Sequence, residues 1–260
     1  MVHLPTLAAA FATLLTPTLA HPSNAARNAL MGCGTEPSAA FLAESEQMMA
    51  LEANSTSADF QAAATINVQT YFHVVAKSTA ASGGYISASA LTAQLAVMNE
   101  NYAPYGIQFA LAGTDYTINT SWASDGAELA MKKALRKGDY GDLNVYFQYA
   151  IGGNLGYCYF PASVTTGSND FYYDGCSILY SSVPGGSATN YNLGKTVTHE
   201  VGHWFGLLHT FQGGCTGTGD SIADTPAQAS ASSGCPVGRD SCPSVAGVDP
   251  ITNYMDYSYE

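Results

Sequence analysis

Polar and apolar residues alternate from Thr65 to Ala76 (TINVQTYFHVVA), where β-branched residues are also dense, and this predicts a strand. His73 falls inside it, as a core-edge residue rather than a ligand. Leu91, Leu95 and Met98 share one face behind Ser87 or Ser89 as N-cap, which predicts a helix over 87–101. Gly106–Ala112 and Tyr116–Trp122 read as two further strands. Gly126–Lys137 (GAELAMKKALRK) reads as a short amphipathic helix closed by Gly138. Its charges predict a solvated face, for it holds four of the chain's eight Lys and Arg residues. Leu143–Ala150 is a strong, central strand, and Ser177–Tyr180 a shorter one. Between them, Ile151–Tyr157 carries three glycines among apolar residues. Gly152–Tyr157 is then either an exposed edge strand, able to pair with an extended peptide, or a glycine-rich loop.

After a loop over 184–190, Leu193, Val197, Val201, Trp204 and Leu208 recur at steps of three and four, so that face should pack into the core. From Phe211 to Val248 the pattern dissolves into Gly, Ser, Pro, Thr and Asp, and the segment reads as loops. At the other end, Ala39–Leu51 suits a helix with Phe41, Leu42, Met48, Met49 and Leu51 as its apolar residues. It lies in 21–64, a pro-segment rich in Ala, Ser and Asn. Residues 1–20 carry no Asp, Glu, Lys or Arg, contain the apolar stretch Leu7–Leu15, and end in Ala20. These features predict a signal peptide. Residues 65–260 then form one folded domain.

Composition narrows the class. Apolar residues make up 47%, enough for a sizeable core. The formal charge of −12 disfavours nucleic acid and anionic membrane surfaces as partners. No stretch after the leader reaches the ~18 apolar residues that a bilayer requires. The expected product is a secreted, soluble monomer. The sequons at Asn54 and Asn119 fit that route.

The chemistry concentrates in Thr198-His199-Glu200-Val201-Gly202-His203-Trp204-Phe205-Gly206-Leu207-Leu208-His209, which reads H-E-x-x-H-x-x-G-x-x-H. Four residues make slightly more than one helical turn, so His199 and His203 return to one face and can grip a single zinc ion. Glu200 sits beside them as a general base. Gly206 permits a sharp turn that brings His209 round as third ligand. Three protein ligands leave one position for water, the layout of a catalytic zinc site, with one Zn2+ per chain. Three of the chain's six histidines lie in this stretch, which argues against coincidence.

Cysteines complete the picture. Cys158 and Cys176 flank a short segment and suit a local disulfide. Cys33, in Gly32-Cys33-Gly34-Thr35, either fills the open zinc position and keeps the enzyme latent or forms an ordinary disulfide. Asp220, Asp224 and Thr225 are closely spaced oxygen donors, for Ca2+ or as a plain acidic loop.

Together with Asn253-Tyr254-Met255-Asp256-Tyr257, the histidine motif resembles the metzincin clan of zinc metalloproteases. HEVGHWFGLLHTF and NYMDYS resemble its pappalysin family, in the secreted fungal-type branch. The resemblance implies an α+β fold: a twisted mixed sheet, two long helices, and an irregular, disulfide-stapled lower part. It implies that Met255 forms the Met-turn beneath the metal and that Tyr257 stabilises the transition state. It also implies a Cys215–Cys242 disulfide, calcium near Asp220 and Asp224, and latency through Cys33. Relatives continue past the Met-turn into another cysteine and a helix. The resemblance therefore implies that a C-terminal helix and a partner for Cys235 are missing after Glu260. The expected function is a secreted zinc endopeptidase acting on protein or peptide substrates. The alternatives are a zinc-binding protein without turnover and an adhesion or structural domain without zinc.

Overall fold

The strand patterns build one sheet. In the computed structural model, which describes residues 32–54 and 65–260, five strands line up in the order β2-β1-β3-β5-β4. They are β1 (Ile66–Ala76), β2 (Ile107–Ile118), β3 (Leu143–Gln148), β4 (Gly156–Cys158) and β5 (Cys176–Leu179). All neighbours run parallel except β4, which is antiparallel to β5 and forms one edge. β3 is buried along its whole length, as a strand covered on both faces should be. The sheet is therefore mixed and the fold α+β. The signal-peptide reading over 1–20 and residues 21–31 and 55–64 of the pro-segment lie outside the described residues.

Six helices accompany the strands among the described residues: α1 (Ala39–Glu52), α2 (Ala88–Tyr102), α3 (Thr120–Ala123), α4 (Glu128–Leu135), α5 (Asn169–Tyr173) and α6 (Lys195–Trp204). α2 begins where its cap predicts, with Ser87 Oγ accepting from the Ala90 amide. α2 and α6 share the main core, where Met98, Val197 and Val201 meet Phe72, Val145 and Ile178. A smaller core packs Met131 of α4 and Ala123 of α3 against Val75 and Tyr146. Among the described residues no helix or strand follows Trp204, and Cys215–Cys242 staples this lower part. Cys158–Cys176 joins β4 to β5.

Several expectations need correction. Tyr116–Trp122 is not a separate strand. β2 runs unbroken to Ile118 because a bulge, Thr70 facing Leu111 and Tyr71 facing Gly113, absorbs Ala112 without ending the ladder. Thr120–Ala123 is then helical, with the Asn119 side chain as its cap. The basic face of α4 is only partly solvated. Lys132 and Arg136 are buried because Glu128 and Asp174 supply carboxylates at 2.9 and 2.8 Å. Leu193 precedes α6 and is exposed, so the core stripe starts at Val197. In α1 only Phe41 and Leu42 pack, while Met48 and Leu51 face outward. His73 is a satisfied core residue as read, held between Asp115 Oδ2 at 2.8 Å and Asn144 Oδ1 at 2.9 Å.

Candidate metal centre

α6 carries the first two histidines, and both its ends are fixed. Its N-cap, Gly194, has no side chain to offer, and the Glu260 carboxylate takes that place. It accepts from the amides of Leu193 at 2.5 Å and Thr196 at 2.8 Å. At the other end Gly206 takes φ 100°, as the motif requires. Its amide bonds the His203 carbonyl and the Leu207 amide bonds the Gly202 carbonyl, the paired bonds of a Schellman turn. That turn reverses the chain and returns His209 to the helix face.

The three imidazoles converge. His203 Nε2 lies 3.2 Å from His199 Nε2 and 3.1 Å from His209 Nε2. All three rings are buried. Burial lowers the His199 pKa to about 4 and holds His203 and His209 well below the usual imidazole range, so the rings are neutral. Two tautomers follow from the partners. His199 Nδ1 donates to the Tyr254 carbonyl at 2.5 Å and His203 Nδ1 to the Leu207 carbonyl at 2.7 Å. Their Nε2 atoms are then bare acceptors facing each other, and two acceptors cannot bond one another. A cation between them resolves this. Tetrahedral zinc bonds of about 2.1 Å separate neighbouring nitrogens by roughly 3.4 Å, close to the spacing observed, so the donor set fits the metal.

A fourth donor stands with them. Cys33 Sγ and the three histidine nitrogens all lie within 4.8 Å of one another. Cys33 makes no disulfide. Its thiol donates to Glu200 Oε2 at 3.4 Å, and the Thr35 hydroxyl lies 3.1 Å from the same oxygen. Around Cys33 the segment runs parallel to β4: the Leu155 amide bonds the Gly32 carbonyl and the Gly34 amide the Gly156 carbonyl, each at 2.8 Å. Burial pushes Glu200 up to about 8, and burial with the neighbouring Glu200 carboxylate pushes the Cys33 thiol well above its ordinary range. A bound cation opposes both shifts.

Comparison with known proteins decides the family. The sequence model described as peptidase M43, pregnancy-associated plasma protein-A, matches residues 136–260. A protein of Sordaria macrospora named extracellular metalloprotease is 65% identical over 230 residues, 88% of this chain and 81% of its own. An extracellular metalloprotease of Neurospora crassa is 67% identical over 219 residues, 84% and 75% of the two chains. Extracellular metalloprotease 1 of Coccidioides posadasii is 58% identical over 259 residues, 100% and 90%. The chain belongs to the pappalysin metalloproteases. It is therefore a metal-dependent endopeptidase, with protein or peptide substrates.

The other residues expected in a pappalysin site lie at varying distances from the histidines. Met255 is buried beneath α6, so close to Gly202 that a Cβ there would overlap its Sδ. The Tyr257 ring lies 5.7 Å from that of His199 and 5.0 Å from that of His209, and its hydroxyl donates to the Cys33 carbonyl at 3.3 Å. Asp220, Asp224 and Thr225 line one cavity, and Asp220 Oδ1 accepts from the Ile222 amide of its own loop. Among the described residues, Cys33 with the three histidines is the one group of three or more His, Cys, Asp or Glu spaced to hold an ion. Asn54 is exposed at the end of α1, and Asn119 caps α3.

Sequence reasoning missed three participants. In the sequence Thr35 stands out only as a near neighbour of Cys33. Gly202 occupied a variable position of the motif, yet Met255 leaves it no room for a side chain. Gly156 was one of several glycines, but a Cβ there would come within 2.5 Å of Glu200 Cγ. The glycine-rich stretch also divides. Gly152 and Gly153 take positive φ in a turn, while Leu155–Cys158 forms the edge. No periodicity marks such close approaches, because they depend on which segments the fold brings together.

Proposed function

We propose that this chain is a secreted, zinc-dependent endopeptidase made as a latent precursor. Its metal is held by His199, His203 and His209, and its base is Glu200. The observation that carries the reading is the convergence of three neutral imidazoles with their Nε2 atoms 3.1–3.2 Å apart. A bound zinc ion supplies Lewis acidity, making water nucleophilic near neutral pH and polarising the scissile carbonyl.

The chain's own residues do the rest. Glu200 takes the proton from the attacking water and passes it to the leaving amine. The Tyr257 hydroxyl, which now reaches the Cys33 carbonyl, stabilises charge developing on a substrate carbonyl held at the same place. The β4 edge holds the substrate extended through the backbone groups of Leu155 and Gly156 that now hold Gly32 and Gly34. Cys33 keeps the precursor silent by filling the fourth donor position. Secretion is supported by the relatives' printed names, and no described helix is long and apolar enough to cross a membrane.

The test is casein cleavage by the purified chain, with and without a zinc chelator, beside Glu200→Gln. The chelator should abolish cleavage. The variant should keep its zinc and lose turnover by about 10²–10⁴-fold, the usual contribution of a positioned base. Undiminished cleavage by zinc-loaded Glu200→Gln would remove Glu200 from the mechanism.

A further inference from the structure

His199 is held from outside its own helix. Its Nδ1 bonds the Tyr254 carbonyl, in the loop that leads to Met255. Tyr254 itself is 40% exposed. Its hydroxyl, however, reaches back to α2 and donates to Asn101 Oδ1 at 2.9 Å.

Asn101 is 7% exposed, at the junction of α2, α6 and the Met255 loop. Its Nδ2 donates to Thr198 Oγ1 at 2.7 Å, and Lys195 Nζ donates to its Oδ1 at 2.9 Å. An ammonium only donates, so Oδ1 must face Lys195, and the orientation of the amide is fixed. Thr198 is the residue before His199, and Lys195 lies one turn earlier. One amide therefore joins both sides of the His199 contact, the helix that carries the ring and the loop that carries the carbonyl. The mechanism above makes no use of Asn101.

We propose that Asn101 is a positioning residue of the metal centre. It sets the Tyr254 carbonyl against α6, and that carbonyl fixes the orientation and tautomer of His199. The proposal rests on the reading of His199 as a metal ligand. Groups one step behind a ligating histidine typically change metal affinity 10–100-fold.

The test is the zinc affinity of the full chain, by competition with a chromophoric chelator, together with the visible spectrum of the cobalt-substituted protein. Tyr254→Phe removes one hydroxyl from a partly exposed residue and leaves the fold intact. It should weaken zinc binding about tenfold and shift the cobalt bands. Asn101→Ala should weaken binding at least as much, and the double variant no more than Asn101→Ala alone. Asn101→Asp keeps an acceptor for Lys195 and Tyr254 and should restore most of the affinity. Wild-type zinc affinity and cobalt spectrum in Tyr254→Phe would overturn the proposal, as would additive losses in the double variant. His199→Ala separates the two levels. If zinc binding survives that change, the ligand assignment fails and the proposal falls with it. If His199→Ala loses zinc while Tyr254→Phe does not, only the role of Asn101 fails.

Discussion

Cys33 and Glu200 meet at 3.4 Å. The thiol stands among the histidine nitrogens, and Thr35 closes over the carboxylate from the same segment. Burial pushes Glu200 up to about 8, while the hydrogen bonds from Cys33 and Thr35 act in the opposite direction. Cys33→Ser exchanges a strong zinc ligand for a weak one. The unprocessed variant should cleave casein at least about tenfold faster than the unprocessed wild type, the effect of weakening segment docking by about 1.4 kcal/mol. Equal initial rates would mean that the thiol contributes nothing to latency. From the sequence, latency and a disulfide were both open to Cys33. The structure leaves Cys33 without a disulfide, and its placement against histidines more than 160 positions away is encoded by no local pattern.

At the scale of elements, α6 depends on a cap it does not contain. Gly194 supplies the left-handed entry at φ 88°, and Glu260 supplies the acceptor. Glu260→Ala leaves the Leu193 and Thr196 amides without that partner and should cost about 1 kcal/mol of stability, the usual value of an N-cap side chain. Urea unfolding checks this, and an unchanged midpoint would show that water replaces the carboxylate at no cost. The same helix shows what was legible. His199, Glu200, His203, Gly206 and His209 are spaced by one turn of helix and one sharp reversal, both local properties of the chain. Most strands were equally plain. The sequence carries no sign that Lys132 and Arg136 are buried, because Tyr173 and Asp174, which bind them from another segment, lie some forty positions away. β2 was cut in two because alternation slips at a bulge although the ladder continues.

At the scale of the whole molecule, the described residues form a sheet-and-helix upper part and a lower part without helix or strand. The upper part buries the apolar strands and helices that the sequence pattern announces. The lower part relies on Cys215–Cys242 and on turn hydrogen bonds, so its path was not readable from periodicity. Residues 32–54, read from the sequence as pro-segment, touch both parts. Gly32–Thr35 lies along β4, Phe41 of α1 stacks on Phe160 at 4.3 Å, and Glu46 accepts from Thr218 Oγ1 at 3.2 Å.

In the proposed latent precursor, the peptide on the β4 edge is tethered to the molecule it silences. Dilution does not loosen such a plug, because its effective concentration is set by the chain itself. A molecule whose cleft is filled in this way also has no free cleft with which to cut its own tether. The first cuts must come from another molecule that is already open, so activation should feed on its own product. Casein cleavage from a fresh preparation should then begin after a lag that shortens as protein concentration rises and vanishes on seeding with processed enzyme. A lag independent of concentration would mean that each molecule opens and trims itself.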